Sequence, residues 1–328
     1  MARNALISIS RYNTITSRQF PAQWGAAYEP SAKATRNEAP TISRPSTVHS
    51  TKLGRAVHLM SLPERHAALL ALYHPQLFDL HEQHALSPVP AAHPLASHPR
   101  AQGMFLLPIE GTVAVAARLG ILSRHPVIYV EDALSNEGSP EMRIPFPYLG
   151  DLLLFLEDGQ GPYCVNWTVK KNLENFRRSS IAAISQPGRA ARAEQRAHER
   201  HLLEASYFED GGIRTQRVSE ECIDPYVYSN LSKLVTWTYR QPSLSFDAIE
   251  ALTQFYVGLV GGVDTVLTHL TSLQRRFSCT QHDCLTVLYQ GIWSRKIRVD
   301  LFKPIFPNKA LRRESSDVLD VYSAWFRR

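Results

Sequence analysis

The sequence predicts an α/β chain, and three observations carry the prediction. The first is a strand pair: Leu152-Leu153-Leu154-Phe155-Leu156, a turn at Glu157-Asp158-Gly159-Gln160-Gly161, then Tyr163 through Lys170, together a β-hairpin signature. The second is a helix, SLPERHAALLALYH from Ser61, in which Leu62, Leu69, Leu70 and Leu72 are apolar and Pro63 is tolerated in the first turn. The third is the tail, where short helical patterns follow one another over 224–239, 245–258, 262–277 and 281–293. A hydrophobic fraction of 44% over 328 residues is ample for packed cores and excludes a wholly disordered chain.

The remaining segments are read in chain order. Residues 1–55 are rich in Ser, Thr, Ala, Pro and Arg without sustained periodicity, and are expected to form a basic, partly disordered arm. PQLFDLHEQHAL suggests a short strand, and the Pro-, Ala- and His-rich run from Pro88 to about Gln102 suggests a loop. FLLPIEGTVAVAARLG and HPVIYVEDAL are apolar and β-branched enough for strands, with partial helix an alternative for the first. SNEGSPEMRIPFPYLG reads as a turn-rich connector. Residues 174–207 are helical in composition, interrupted near Pro187-Gly188, and Gly211-Gly212 ends the helix. Near the C-terminus Ile297, Val299 and Leu301 alternate, predicting a strand over 296–302. Short helices closed by a basic strand are the pattern of a winged-helix domain, and equally of any small α+β domain.

The formal net charge is +6, and it is unevenly placed. Residues 1–55 hold eight bases against two acids, 56–176 seven against twelve, and 177–328 twenty-one against sixteen. A basic arm, an acidic middle and a basic C-terminal half suit a polyanionic partner and a cation in the middle. Ordinary surface charge is the alternative. No apolar run approaches the roughly 20 residues needed to span a bilayer, so no membrane association is expected. Four cysteines are too few for a disulfide scaffold, and the first residues lack a signal-peptide core, so a cytoplasmic protein is expected. Cys279, His282 and Cys284 lack a fourth zinc ligand, and Gly258, Gly261 and Gly262 are not followed by the Gly-Lys-Ser/Thr of a phosphate loop.

The candidate chemistry lies in the acidic middle. Glu64 stands in the first turn of a helix, Asp151 opens one strand of the hairpin, and Lys170 ends the other with Thr168 on the same strand face. Hard carboxylate oxygens suit Mg²⁺, and a lysine beside them suits water activation or neutralisation of charge developing on a phosphate. Each residue has a plainer role open to it. Ser61-x-x-Glu64 is a helix capping box, Asp151 after Gly150 a turn residue, and Lys170-Lys171 a solvated strand end. Lys52, Arg55, Lys171, Arg276, Lys296 and Arg298 are candidate phosphate contacts, or parts of an ordinary basic surface.

Taken in order, the short motifs resemble the TnsA-like endonuclease subunit of heteromeric transposases. They are Ser50-Thr51-Lys52-Leu53-Gly54-Arg55, His58 through Arg65, His81-Glu82-Gln83, Gly150-Asp151-Leu152-Leu153-Leu154 and Thr168-Val169-Lys170, with 223–231 and 293–304 further on. The resemblance implies a PD-(D/E)xK catalytic domain: a restriction-endonuclease-like mixed sheet flanked by helices over 56–178. It also implies a helical connector over 179–219 and a mainly helical, winged-helix-like domain over 220–328. Glu64, Asp151 and Lys170 are implied as catalytic, with Mg²⁺ (Mn²⁺ substituting) on Glu64 and Asp151. Three departures stand out, and the first is a loop-rich segment, roughly Pro88 to Pro147, that separates the two halves of the site. Thr168 takes the place of the usual carboxylate or amide, and is only a weak candidate metal ligand. His84 takes the place of a proline. The implied activity is hydrolysis at the 5′ ends of a mobile element, and the implied partners are double-stranded DNA, a DDE-type transposase and an AAA+ ATPase regulator bound through the C-terminal half. A stand-alone restriction-type nuclease and a non-catalytic assembly subunit are the alternatives.

Overall fold

In a computed structural model, which describes residues 7–40, 43–130, 142–176 and 187–328, the chain starts with a helix where an extended arm was expected. Helix α1 (Ile9–Gln19) is capped by Ser8, whose Oγ accepts the Arg11 N–H, and it buries Ile15 against Ile128 and Phe146. Three bases of this segment share its two carboxylates. Arg11 and Arg18 pair with Glu38, and Lys33 pairs with Glu29. The Arg18 guanidinium holds the Glu38 carboxyl down at about 2. The expected boundary at residue 55 falls inside a hairpin, β1 (Ser46–Ser50) against β2 (Arg55–Leu59).

Helix α2 (Leu62–Tyr73) forms as its sequence predicts, with Ser61 as N-cap, Pro63 in the first turn and residues 67–73 buried. It leads into β3 (Leu77–Glu82) and β4 (Ala85–Leu86). The stretch near residue 112, read as a strand with partial helix as the alternative, takes the alternative and forms α3 (Thr112–Arg118). Its β-branched residues misled, since Thr112, Val115 and Ala116 fall at helical spacing and pack inward. Gly111 permits this turn at φ +95°, where a Cβ would meet the Val89 carbonyl carbon at 2.5 Å. Strands β5 (Val127–Val130), β6 (Met142–Pro145) and β7 (Tyr148–Leu149) follow.

The predicted hairpin is β8 (Leu152–Asp158) and β9 (Gly161–Lys170). Helix α4 (Pro187–Asp210) starts at the expected interruption, and the predicted turn of helix before it lies partly outside the described residues. It delivers β10 (Arg214–Ser219), which pairs parallel with β9 within the segment expected to be only a helical connector. The result is a four-stranded mixed sheet in the order β10-β9-β8-β3, with α2 on one face and α4 on the other.

The tail contains α5 (Pro225–Val235), α6 (Phe246–Leu259), α7 (Val266–Phe277) and α8 (Gln281–Trp293), then short α9 (Val318–Val321) and α10 (Ser323–Phe326). The predicted strand over 296–302 is absent. Only an isolated bridge, Val299 to Arg313, lies there. Ile297, Val299 and Leu301 do alternate and are buried, but their partners are helical side chains of the main core rather than a neighbouring strand. That core is continuous from β1, β2 and α2 through the sheet to α5–α8 and α10. Trp167 of β9 sits fully buried within it and donates its indole N–H to the Trp325 carbonyl at 2.9 Å. The chain is thus mixed α/β, and among the described residues no helix is long and apolar enough to cross a membrane.

Candidate functional site

Three segments distant in sequence meet at one end of the sheet. The α2 cap brings in Glu64. Ser61 Oγ accepts the Glu64 N–H and donates to Oε1 at 2.8 Å, while Oε2 accepts the Met60 N–H at 2.9 Å. The capping role weighed from the sequence is therefore real, but the carboxylate does more. Its Oε2 also accepts Gln83 Nε2 at 3.0 Å. Gln83 follows β3 in the left-handed region at φ +49°, and its backbone N–H donates to the Asp151 carbonyl at 2.9 Å. One residue thus ties the helix N-terminus to the strand that bears the second acid.

Asp151 is placed by Gly150 before it. The Gly150 N–H donates to the His84 carbonyl at 2.8 Å, and a Cβ on Gly150 would lie 2.2 Å from the His84 ring. Asp151 Oδ2 accepts the Val169 N–H at 2.7 Å and faces Lys170 Nζ at 3.5 Å. Both ends of this pair keep access to solvent, at 21% and 34% exposure, as a site for a macromolecular substrate needs. Burial, and then the Asp151 charge, push the Glu64 carboxyl from its ordinary 4.5 to about 7.

That shift fixes the sign of a pH effect. Folded Glu64 holds its proton to higher pH than unfolded Glu64, so its contribution to stability is full below pH 4.5 and declines until about pH 7. The decline is about 3 kcal/mol on 1.36 kcal/mol per unit. Urea unfolding of wild type and Glu64→Gln across this window is expected to show the loss in wild type alone. Equal slopes in the two proteins would refute the assignment.

Thr168 shares a strand face with Lys170, yet its hydroxyl donates to Glu204 Oε1 at 3.1 Å. Asn166 Nδ2 donates to the same oxygen at 2.9 Å. Glu204, on α4, is buried, and burial raises its pKa. Sequence reasoning missed this carboxylate. Its signal was an acid flanked by Leu203 and, one turn on, Tyr207 and Phe208, all of them core residues of the α4 face.

The candidate phosphate contacts divide. Arg55 is buried in a bidentate pair with Glu82, and Lys52 Nζ donates to the Leu72 and His74 carbonyls at the end of α2, where burial lowers it to about 8. Arg55 is closed off from DNA in this arrangement, whereas Lys52 is exposed with its ammonium on those two carbonyls. Lys296 pairs with Glu250, and Arg298 pairs with Glu314 and Asp317. Lys171 and Arg276 are exposed. A cleft of about 560 Å³ that the sequence did not reveal is lined by Arg124, Arg196 and Arg200. Arg200 donates to the Leu149 carbonyl, two residues before Asp151, and lies 4.6 Å over the Tyr148 ring.

Among the described residues no group of three or more His, Cys, Asp and Glu is placed to hold a metal. Mg²⁺ asks less, since one or two carboxylates with waters and substrate phosphate suffice. Asp151 and Glu64 supply two hard donors whose mutual repulsion a divalent cation would relieve. The chain matches no model of a known protein family and no characterised protein.

Proposed function

We propose that this chain is a Mg²⁺-dependent DNA endonuclease subunit of a heteromeric transposase, cutting at the 5′ ends of a mobile element. The observation that carries the reading is the convergence of Glu64, Asp151 and Lys170 at one sheet end, bridged by Gln83 and the Val169 N–H. The mixed sheet between α2 and α4 is compatible with the restriction-endonuclease-like domain that the sequence motifs imply. Asp151 and Glu64 would hold the metal, which when bound polarises the phosphate and lowers the pKa of its water. Lys170, part exposed and 3.5 Å from Asp151, would turn to the scissile phosphate, where its charge offsets that of the transition state. The Val169 N–H holds the Asp151 carboxylate in one orientation, and Arg196, exposed in the cleft that Arg200 shares, offers a phosphate contact. The partners under this reading are double-stranded DNA of the element ends, a DDE-type transposase, and an AAA+ ATPase that engages the C-terminal half.

One observation favours a second reading, an assembly subunit that binds DNA without cutting it: the Thr168 hydroxyl is directed to Glu204 and not to the Glu64–Asp151 pair. The two separate in a reconstituted assay. Supercoiled DNA carrying element ends, supplied with the partner proteins, is expected to be nicked at the 5′ ends in Mg²⁺ and left intact in EDTA. Nicking that persists when this chain carries Asp151→Asn would assign the cut to another subunit.

A further inference from the structure

The segment Cys279-Thr280-Gln281-His282-Asp283-Cys284 folds into the corner between α7 and α8. Its two sulfurs lie 3.5 Å apart, and both thiols are free. Two helix caps build this contact. Ser278 ends α7 in the left-handed region at φ +50°, and the Cys279 N–H donates to the Gln274 carbonyl at 3.1 Å. Thr280 then caps α8 with a reciprocal box. Its Oγ1 accepts the Asp283 N–H at 3.1 Å, and Asp283 Oδ2 accepts the Thr280 N–H at 2.9 Å. Cys279 stands one residue before that cap and Cys284 four after it, the two positions that a hydrophobic staple joins. Two cysteines serve as the apolar pair and add a redox chemistry that Leu or Val lack. The residues between them are committed elsewhere. The His282 ring lies 5.2 Å from that of Trp237 and faces Arg240 Nη1 at 3.3 Å, and Asp283 Oδ1 accepts the Ser243 N–H at 2.8 Å. The two sulfurs are left to each other.

We infer that Cys279 and Cys284 are a modification site: a hydroperoxide joins them in a reversible disulfide that locks the α7–α8 corner. Exposure assigns the order of events. Cys279 is part exposed, and Cys284 is fully buried. Burial also pushes the Cys284 thiol up to about 12, so the attacking thiolate is that of Cys279. Its sulfur takes one oxygen of the peroxide. An S–O bond forms, the O–O bond breaks, and alcohol or water leaves with the thiol proton. Cys284 Sγ then attacks the Cys279 sulfur. The S–S bond forms, the S–O bond breaks, and hydroxide departs with the Cys284 proton as water. In sum, two thiols and one hydroperoxide give one disulfide, one alcohol (water, from hydrogen peroxide) and one water. Exchange with two external thiols restores the reduced pair. The lock reaches beyond the corner. Asp283 holds Ser243, and Gln290 Nε2 donates to the Trp237 and Arg240 carbonyls, so the loop between α5 and α6 hangs on α8. The inference does not rest on the nuclease reading.

The test uses the full chain carrying Cys222→Ser, which removes the exposed thiol that would bridge two chains. Hydrogen peroxide is the probe, and alkylation followed by peptide mapping reads the sulfurs. Both cysteines fall in one tryptic peptide, residues 277–295. After peroxide this peptide is expected to be lighter by two hydrogens and closed to alkylation, and dithiothreitol is expected to restore it. The oxidised chain is expected to melt a few degrees higher, because the closed loop restrains the unfolded chain. Amide exchange over 237–243 is expected to slow. In Cys284→Ala the same treatment is expected to stop at a Cys279 sulfenic acid, which dimedone traps. A peptide 277–295 that still alkylates at both sulfurs after peroxide overturns the proposal. So does an oxidised chain that melts below the reduced one. Unchanged exchange over 237–243 refutes the lock, and a Cys284→Ala chain without the dimedone adduct refutes the order of attack.

Discussion

Asp151→Asn is expected to lower element-end nicking by roughly a hundredfold or more, the scale seen when a preorganised electrostatic group is removed. The fold should survive, because the amide oxygen can still accept the Val169 N–H that Oδ2 now accepts at 2.7 Å. What is lost is the charge, and that loss has a second readout. Asp151 is, after burial, the main cause of the raised Glu64 carboxyl. In Asp151→Asn the Glu64 pKa should therefore move back toward 4.5, which carbon-detected NMR of the side-chain carboxyl can follow. A variant that keeps its nicking rate sinks the catalytic assignment. A variant that loses nicking while Glu64 titrates as before leaves Asp151 essential but denies that the two acids form one site.

The parts of this site that were legible in the sequence are those with local causes. The β8–β9 hairpin sets two apolar runs about a Gly-containing turn within nineteen residues, and the α2 start is marked by Ser61 and Pro63, so Glu64, Asp151 and Lys170 could be placed at the right elements. What stayed hidden depends on contacts between distant segments. Strand β10 reads as polar because it is an edge strand, with only Val218 and Ser219 buried at its end. Glu204 can be identified only once α4 is laid across β9, since Thr168 gives no local sign of an acid above it. Gln83 looked like one residue of a short motif, and its bridge from Glu64 to Asp151 needs both of the others in place. The charge arithmetic stopped short for a related reason. It gave the excess but not where each base points: Arg11 and Arg18 share Glu38, Lys33 meets Glu29, and Arg55 meets Glu82 outside the segment.

Arg55 shows how far that difference can be measured. Arg55→Ala is expected to destabilise the protein by about 3–5 kcal/mol, the cost of leaving a buried charge without its partner. Glu82 is that charge: its side chain is fully buried, and it takes Arg55 Nη1 at 2.7 Å, Nη2 at 2.8 Å and the His58 N–H at 2.9 Å. The pair also anchors the N-terminal segment, because the Arg55 guanidinium lies 4.7 Å from the Tyr28 ring and the Tyr28 hydroxyl donates to the Glu82 carbonyl. Replacing both partners by apolar residues, Arg55→Met with Glu82→Leu, should recover much of the loss, since no uncompensated charge remains. A phosphate contact would behave in the opposite way. Arg55→Ala would then leave the denaturation midpoint in place and reduce the salt dependence of DNA binding by about one counterion. The double variant separates the cases: restored stability with an unchanged salt slope makes Arg55 an internal strut, and a reduced slope at full stability returns it to the DNA-facing surface.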